Sequence, residues 1–131
     1  MITKEADYAI RTVIYLAACR EKTVVSTAEM AEAMQIPYRF LRKIVRKLAD
    51  ENIVKSVRGK GGGISLIKQK DKLSLLTILD MFDPRSVNLN SCQLDKACCE
   101  RIRKCNIHIK MAGVQKLMRE KLEDITFDQL I

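Results

Sequence analysis

The sequence predicts a mainly α protein: a winged helix-turn-helix with a small β-hairpin wing and a long C-terminal dimerisation helix. Three observations predict it. Two short helical segments meet at Gln35-Ile36-Pro37, and the second carries its cations away from its apolar stripe. A glycine-rich turn, Gly59-Lys60-Gly61-Gly62-Gly63, lies between two β-branched runs and holds four of the chain's five glycines. From Ile107 to Leu122 apolar residues recur at steps of three and four.

The elements follow in order. Lys4–Cys19 is apolar at Ala6, Ala9, Ile10, Val13, Leu16 and Ala17, which is helical spacing. Thr3 suits its N-cap, and Glu5 and Asp7 sit in the first turn, where the helix dipole favours acids. Cys19 reads as a buried small hydrophobe. Ser26-Thr27-Ala28-Glu29 is a capping box opening a short helix through Met34. After the Gln35-Ile36 turn, Pro37 suits the first position of the next helix, whose N–H would be unpaired there anyway. From Tyr38 to about Glu51 the stripe is Phe40, Leu41, Ile44, Val45 and Leu48, with Arg39, Arg42, Lys43, Arg46 and Lys47 off it. Ile53–Arg58 and Ile64–Ile67 flank the glycine turn as hairpin strands. Ser74 caps a helix over Leu75–Phe82, and Asp83-Pro84 ends it.

A polar loop follows, and then the long helix, starting at Cys99 or Cys105 and reaching Glu123. Its main stripe is Ile107, Met111, Val114, Met118 and Leu122; a second line runs through Ile102, Cys105, Ile109 and Ala112. Two apolar lines require two packing partners: the winged-helix body and a second copy of the helix, hence a homodimer. Thr126 caps a final short turn. The expected division is 1–83 for the winged helix-turn-helix, 84–105 for a ligand-bearing loop, and 106–131 for the dimerisation helix and tail.

Composition narrows the class. The chain has 131 residues, 47% hydrophobic, with 5% aromatics and no Trp, so its core rests on aliphatic residues and Met. No run approaches the roughly 18 apolar residues a bilayer span needs, and acids stand where a leader's apolar region would lie. The expectation is a cytoplasmic protein with no membrane partner. Net charge is +8, and residues 38–72 account for it, with eleven Lys/Arg against three acids. That local excess is the footprint of a polyanion such as double-stranded DNA. The start of a recognition helix meets base edges, which makes Pro37, Tyr38, Arg39 and Arg42 candidate readers. Lys43, Arg46 and Lys47 would meet phosphates or flank the site. Arg58, with Gly59 and Lys60, suits a minor-groove insertion, and Ser26 and Thr27 could donate to phosphate. GKGGG does not fit the phosphate-loop pattern G-x-x-x-x-G-K-[ST]. No nucleophile stands beside a base, so neither an enzyme nor a small-molecule substrate is expected.

Cys92, Cys98, Cys99 and Cys105 fall within fourteen residues, with His108 three further on. A permanent disulfide is disfavoured in the cytosol. Spacings of five or six residues fit structural zinc poorly. An iron–sulfur cluster is held mainly by thiolates, and three of them plus a weaker ligand would make a labile, sensing centre.

Asp7-Tyr8-Ala9-Ile10-Arg11 with Tyr15-Leu16-Ala17, the wing Val57-Arg58-Gly59-Lys60-Gly61-Gly62-Gly63, three spaced cysteines before a long helix, and a closing Asp124-Ile125-Thr126 together resemble the Rrf2 family of bacterial winged-helix regulators. The match covers nearly the whole chain. The resemblance implies a homodimer on a palindrome with a 2Fe–2S or 4Fe–4S cluster near the dimer interface. It offers two fourth ligands. His108 matches the family's iron–sulfur-biogenesis regulators. Asp7 matches its nitric-oxide-responsive repressors, where the Asp comes from the partner. The spacing is one residue longer than the family's C-x5-C-x5-C, so either Cys98 or Cys99 fills the middle position. Arg42 stands where biogenesis regulators carry an acidic base-reading residue, so their target sequence does not transfer. The expected function is a cluster-containing transcriptional repressor responding to iron–sulfur status, redox or nitric oxide. The alternatives are a cluster-free regulator of thiol redox or cysteine metabolism that docks a partner protein, and an adaptor without DNA binding.

Overall fold

A computed structural model describes residues 2–131. Helix α1, Lys4–Ala18, starts where the Thr3 hydroxyl accepts from Ala6 N at 3.3 Å, and Thr3 N donates to the buried Asp83 carboxylate at 2.8 Å. The start of α1 is thereby fastened to residues that follow the fourth helix. Ala6, Ala9, Val13, Leu16 and Ala17 are buried, as their spacing requires. The far end of α1 has no cation of its own in its last turn; Lys70 reaches across to donate to Ala17 O at 3.3 Å, which suits the negative end of the helix dipole.

Helices α2, Thr27–Met34, and α3, Tyr38–Asp50, form the helix-turn-helix. Ser26 Oγ accepts from Glu29 N at 3.3 Å, so one half of the capping box is made; the return bond from Glu29 is not. Gln35 takes the left-handed conformation, φ 53°, and lets Ile36 N donate to Ala31 O at 3.0 Å. Pro37 stands one position earlier than expected, capping α3 from outside while its carbonyl accepts from Phe40 and Leu41. Leu41, Ile44, Val45 and Leu48 are buried, whereas Phe40 points out at 54% exposure.

Strands β1, Val54–Val57, and β2, Gly63–Leu66, pair antiparallel with Val57 opposite Gly63. Val25 adds a rung to the root of this wing: its N–H donates to Ile64 O at 2.8 Å, and its carbonyl accepts from Ile64 N at 2.7 Å. Helix α4, Leu75–Phe82, begins with the buried Ser74 accepting from Thr77 N at 3.2 Å.

The segment expected as one polar loop is more structured. It holds a one-turn helix α5, Ser91–Leu94, and 3-10 turns at Lys96–Cys98 and Ile102–Lys104. Helix α6, Asn106–Asp124, follows. Its expected stripe divides between two surroundings. Met118 and Leu122 pack on the core, but Ile107 and Val114 are exposed, as are Ile109 and Leu117. Beyond α6 the chain returns to the winged-helix core. Leu75 N donates to Ile125 O at 2.8 Å, Phe127 N donates to Leu73 O at 3.1 Å, and the Phe127 ring is wholly buried. With the Arg119–Asp80 ion pair and the Ser74–Glu123 hydrogen bond of 2.7 Å, this clasp ties α6 to α4. No helix among the described residues is long and apolar enough to cross a membrane.

Candidate nucleic-acid interface and sulfur site

A groove of about 840 Å³ opens between α3, the start of α2 and the wing. The fold brings Ser26, Thr27, Tyr38, Arg42, Arg46 and Arg58 to its walls, together with Ser56, Asp50 and Gly62. The Arg42 guanidinium lies 6.0 Å from the centre of the Tyr38 ring, within reach of a weak cation–π contact between two groove-lining side chains. Pro37, Arg39, Lys43, Gly59 and Lys60 are exposed on α3 and the wing tip, outside the groove itself. Ser56 also reaches the groove, and nothing in the sequence marks it, because Lys55, Ser56 and Val57 of β1 are all exposed.

Two of the eleven clustered cations serve other purposes. Lys47 donates to Met81 O and sits 4.6 Å over the Phe82 ring, so α3 uses it to hold α4, not to meet phosphate. Lys70 is spent on α1. Phe40 is exposed yet not idle. Its ring meets Tyr8 edge-on at 6.4 Å, and Tyr8 in turn carries Arg11 at 5.4 Å. This stack braces the start of α3 against α1.

All five cysteines are free thiols. Cys105 forms the N-cap of α6, its sulfur accepting from His108 N at 3.4 Å. Cys92, at the start of α5, places its sulfur 3.3 Å from His108 Nδ1. Gln93 Nε2 stands 3.3 Å from the same ring nitrogen and donates to His108 O at 3.4 Å. Cys92, Cys105 and His108 thus share one neighbourhood where α5 meets α6. Cys98 is exposed, and Cys99 is half-buried beside it. The Cys98 thiol is held above its ordinary pKa, first by local desolvation and then by Cys92, Asp95 and Cys99. Cys19 is half-buried instead of fully buried and donates to Tyr15 O at 3.3 Å.

Asp7 forms an ion pair with Arg11 one turn along its own helix, and that bond raises the Arg11 pKa. Among the described residues no three His, Cys, Asp or Glu side chains converge as a ready-made metal site. Cys92 of α5 and Cys105 at the cap of α6 both approach His108, and thiolates with an imidazole are donor types that iron–sulfur centres accept.

Comparison with known proteins gives this geometry a family. An HTH-type regulator named IscR from Sodalis glossinidius is 28% identical over 130 residues, covering 99% of this chain and 78% of its own. CymR (YrzC), the global cysteine regulator of B. subtilis, shares the fold with a TM-score of 0.76 at 22% identity, covering 99% of this chain and 95% of its own. T. potens IscR does so with a TM-score of 0.72 at 20% identity, covering 99% and 85%. These relatives and the family are transcriptional regulators, not enzymes. The family pattern described as Rrf2, iron-dependent transcriptional regulator, matches residues 2–131, and the chain belongs to that family of DNA-binding winged-helix proteins.

Proposed function

We propose that the protein is a cytoplasmic, homodimeric repressor of a palindromic operator, and that an iron–sulfur cluster of 2Fe–2S or 4Fe–4S type governs its grip on DNA. Each subunit offers a reading head made of Tyr38, Arg39 and Arg42 on α3, flanked by Lys43 and Arg46, with Arg58, Gly59 and Lys60 on the wing and Ser26 and Thr27 at the start of α2. Arg42 forks onto a base edge while the others meet backbone phosphates. The exposed apolar residues Ile107, Val114 and Leu117 of α6 support pairing with a second copy.

Cys92, Cys105 and one of Cys98 or Cys99 would hold the cluster. The fourth position falls to His108 or to Asp7 of the other subunit. When bound, the cluster supplies a centre that changes with iron supply, oxidation or nitric oxide. The chain's own part is mechanical. Cys105 caps α6, the Arg119–Asp80 pair and the Phe127 clasp tie α6 to α4, and α4 packs against α1 beneath the reading head. A tilt of α6 at its cysteine end changes the span between the two heads.

The observation that carries this reading is the 3.3 Å approach of Cys92 Sγ to His108 Nδ1 beside the Cys105 cap of α6. The test is operator binding by anaerobic protein with Cys92→Ser and Cys105→Ser alongside. Loss of bound iron together with altered operator affinity is expected; unaltered iron content in both variants refutes the ligand set. A second reading, a cluster-free thiol regulator, draws on the lack of a converged metal triad among the described residues. It requires iron-free protein to release DNA on diamide treatment and to rebind it on reduction.

A further inference from the structure

We propose that Gln115 is a positioning residue that sets the placement of Cys92 against the Cys105–His108 end of α6. Gln115 is the buried residue of α6, only 9% exposed, on a helix that otherwise meets the body through half-buried side chains. Its amide is used at both ends. Oε1 accepts from Leu89 N at 3.1 Å, and Nε2 donates to Asn88 Oδ1 at 2.7 Å. Asn88 in turn donates to Pro84 O, closing the start of the loop on itself.

Placement explains the consequence. Gln115 follows His108 by seven residues, two helical turns, so both face the same loop about 10 Å apart. Cys92 follows Leu89 by three residues. The segment carrying Cys92 therefore hangs between two fixed points on α6: the Gln115 amide, and the His108 ring with Gln93 and Cys92 around it. An apolar residue would fill the Gln115 position at lower desolvation cost, because a buried amide loses water unless every bond is replaced. What the amide adds is direction: its paired bonds admit one register of residues 88–89, and so one placement of the thiol three residues on. The importance of this placement rests on the cluster reading above; the placement itself does not.

The test needs no metal. In a full-length chain with Cys19, Cys98, Cys99 and Cys105 replaced by Ser and with His108→Cys, one thiol pair remains, at 92 and 108. Ser at 105 keeps a competent N-cap. Anaerobic protein is treated with diamide, and disulfide formation is timed. Gln115→Leu is expected to slow trapping about tenfold, the factor expected for losing a buried hydrogen-bond pair, with helix content unchanged. Asn88→Ala, which cuts the same bridge from the loop side, should act in the same direction. Equal trapping rates in parent and Gln115→Leu would overturn the assignment, as would slowing that merely tracks loss of helix content. Iron analysis of anaerobic wild-type protein separates the two claims. Iron-free protein with Gln115-dependent trapping removes the cluster and keeps the positioning role. Iron-bearing protein with indifferent trapping does the reverse.

Discussion

Replacing Gly63 with Ala tests the junction on which the wing depends. Gly63 has φ +155°, and a Cβ there would lie 2.2 Å from Val25 O and 2.6 Å from Val25 C. Ordinary contact begins near 3.4 Å, and the obstacle is backbone, which cannot rotate away; β2 must retreat by about 1 Å. The Val25–Ile64 bonds of 2.7 and 2.8 Å then stretch beyond useful range. Each is worth about 0.5–1.5 kcal/mol net, and the disfavoured backbone adds about 1–3 kcal/mol. The expected total is about 2–6 kcal/mol, a large share of the roughly 5–15 kcal/mol that holds a domain together. Val25 leads directly into Ser26 and Thr27, which line the groove opposite Arg58, so DNA affinity should fall as well. The control is Gly61→Ala, where φ is +74° but no atom lies within 4 Å; strain alone costs about 1–2 kcal/mol. Urea denaturation of the two variants, with fluorescence-anisotropy titration of duplex DNA, is the assay. Equal midpoints for Gly63→Ala and Gly61→Ala would show that the close approach of β2 to Val25 does not hold the wing.

Arg42→Ala and Arg58→Ala should each weaken DNA binding by about 1–3 kcal/mol. Where a phosphate contact is lost, the slope of log K against log salt should drop by about 0.9 per contact. Lys47→Ala, whose ammonium is engaged with Met81 O and Phe82, should leave that slope unchanged while lowering stability; a lowered slope would return Lys47 to the DNA surface. Phe127→Ala should cost about 3–5 kcal/mol in denaturation experiments, because the ring is fully enclosed in the winged-helix core. A loss below about 1 kcal/mol would show that the tail does not brace the domain.

Much of the fold could be read from short-range signals. Thr3, Ser26 and Ser74 each cap the helix their position announced, because an N-cap is a local bargain between a hydroxyl and a backbone N–H three residues on. The wing was legible because glycine adopts the positive φ at Gly59 and Gly61 without the strain another residue would carry. What escaped was long-range. Phe127 looked like the end of a tail, yet it fills the core, since nothing near it in sequence shows what it covers. Lys47 counted as a DNA-facing cation because charge patterning says where a side chain begins and not where its tip goes. The two apolar lines of α6 announce two packing partners, but the main line itself divides: Met118 and Leu122 pack on the core while Ile107 and Val114 are exposed, which periodicity alone does not show. At the sulfur site, the cysteines and His108 were visible as a pattern. Gln115 was not, because a lone amide on an amphipathic helix gives no sign of being buried.

The most direct trial of the account is an iron and acid-labile sulfide assay on oxygen-protected protein, paired with duplex-binding isotherms before and after chelation. A cluster-governed repressor should contain both elements and show a shifted isotherm once they are stripped. Protein that contains neither element and still switches its DNA affinity with the inducing signal would contradict it.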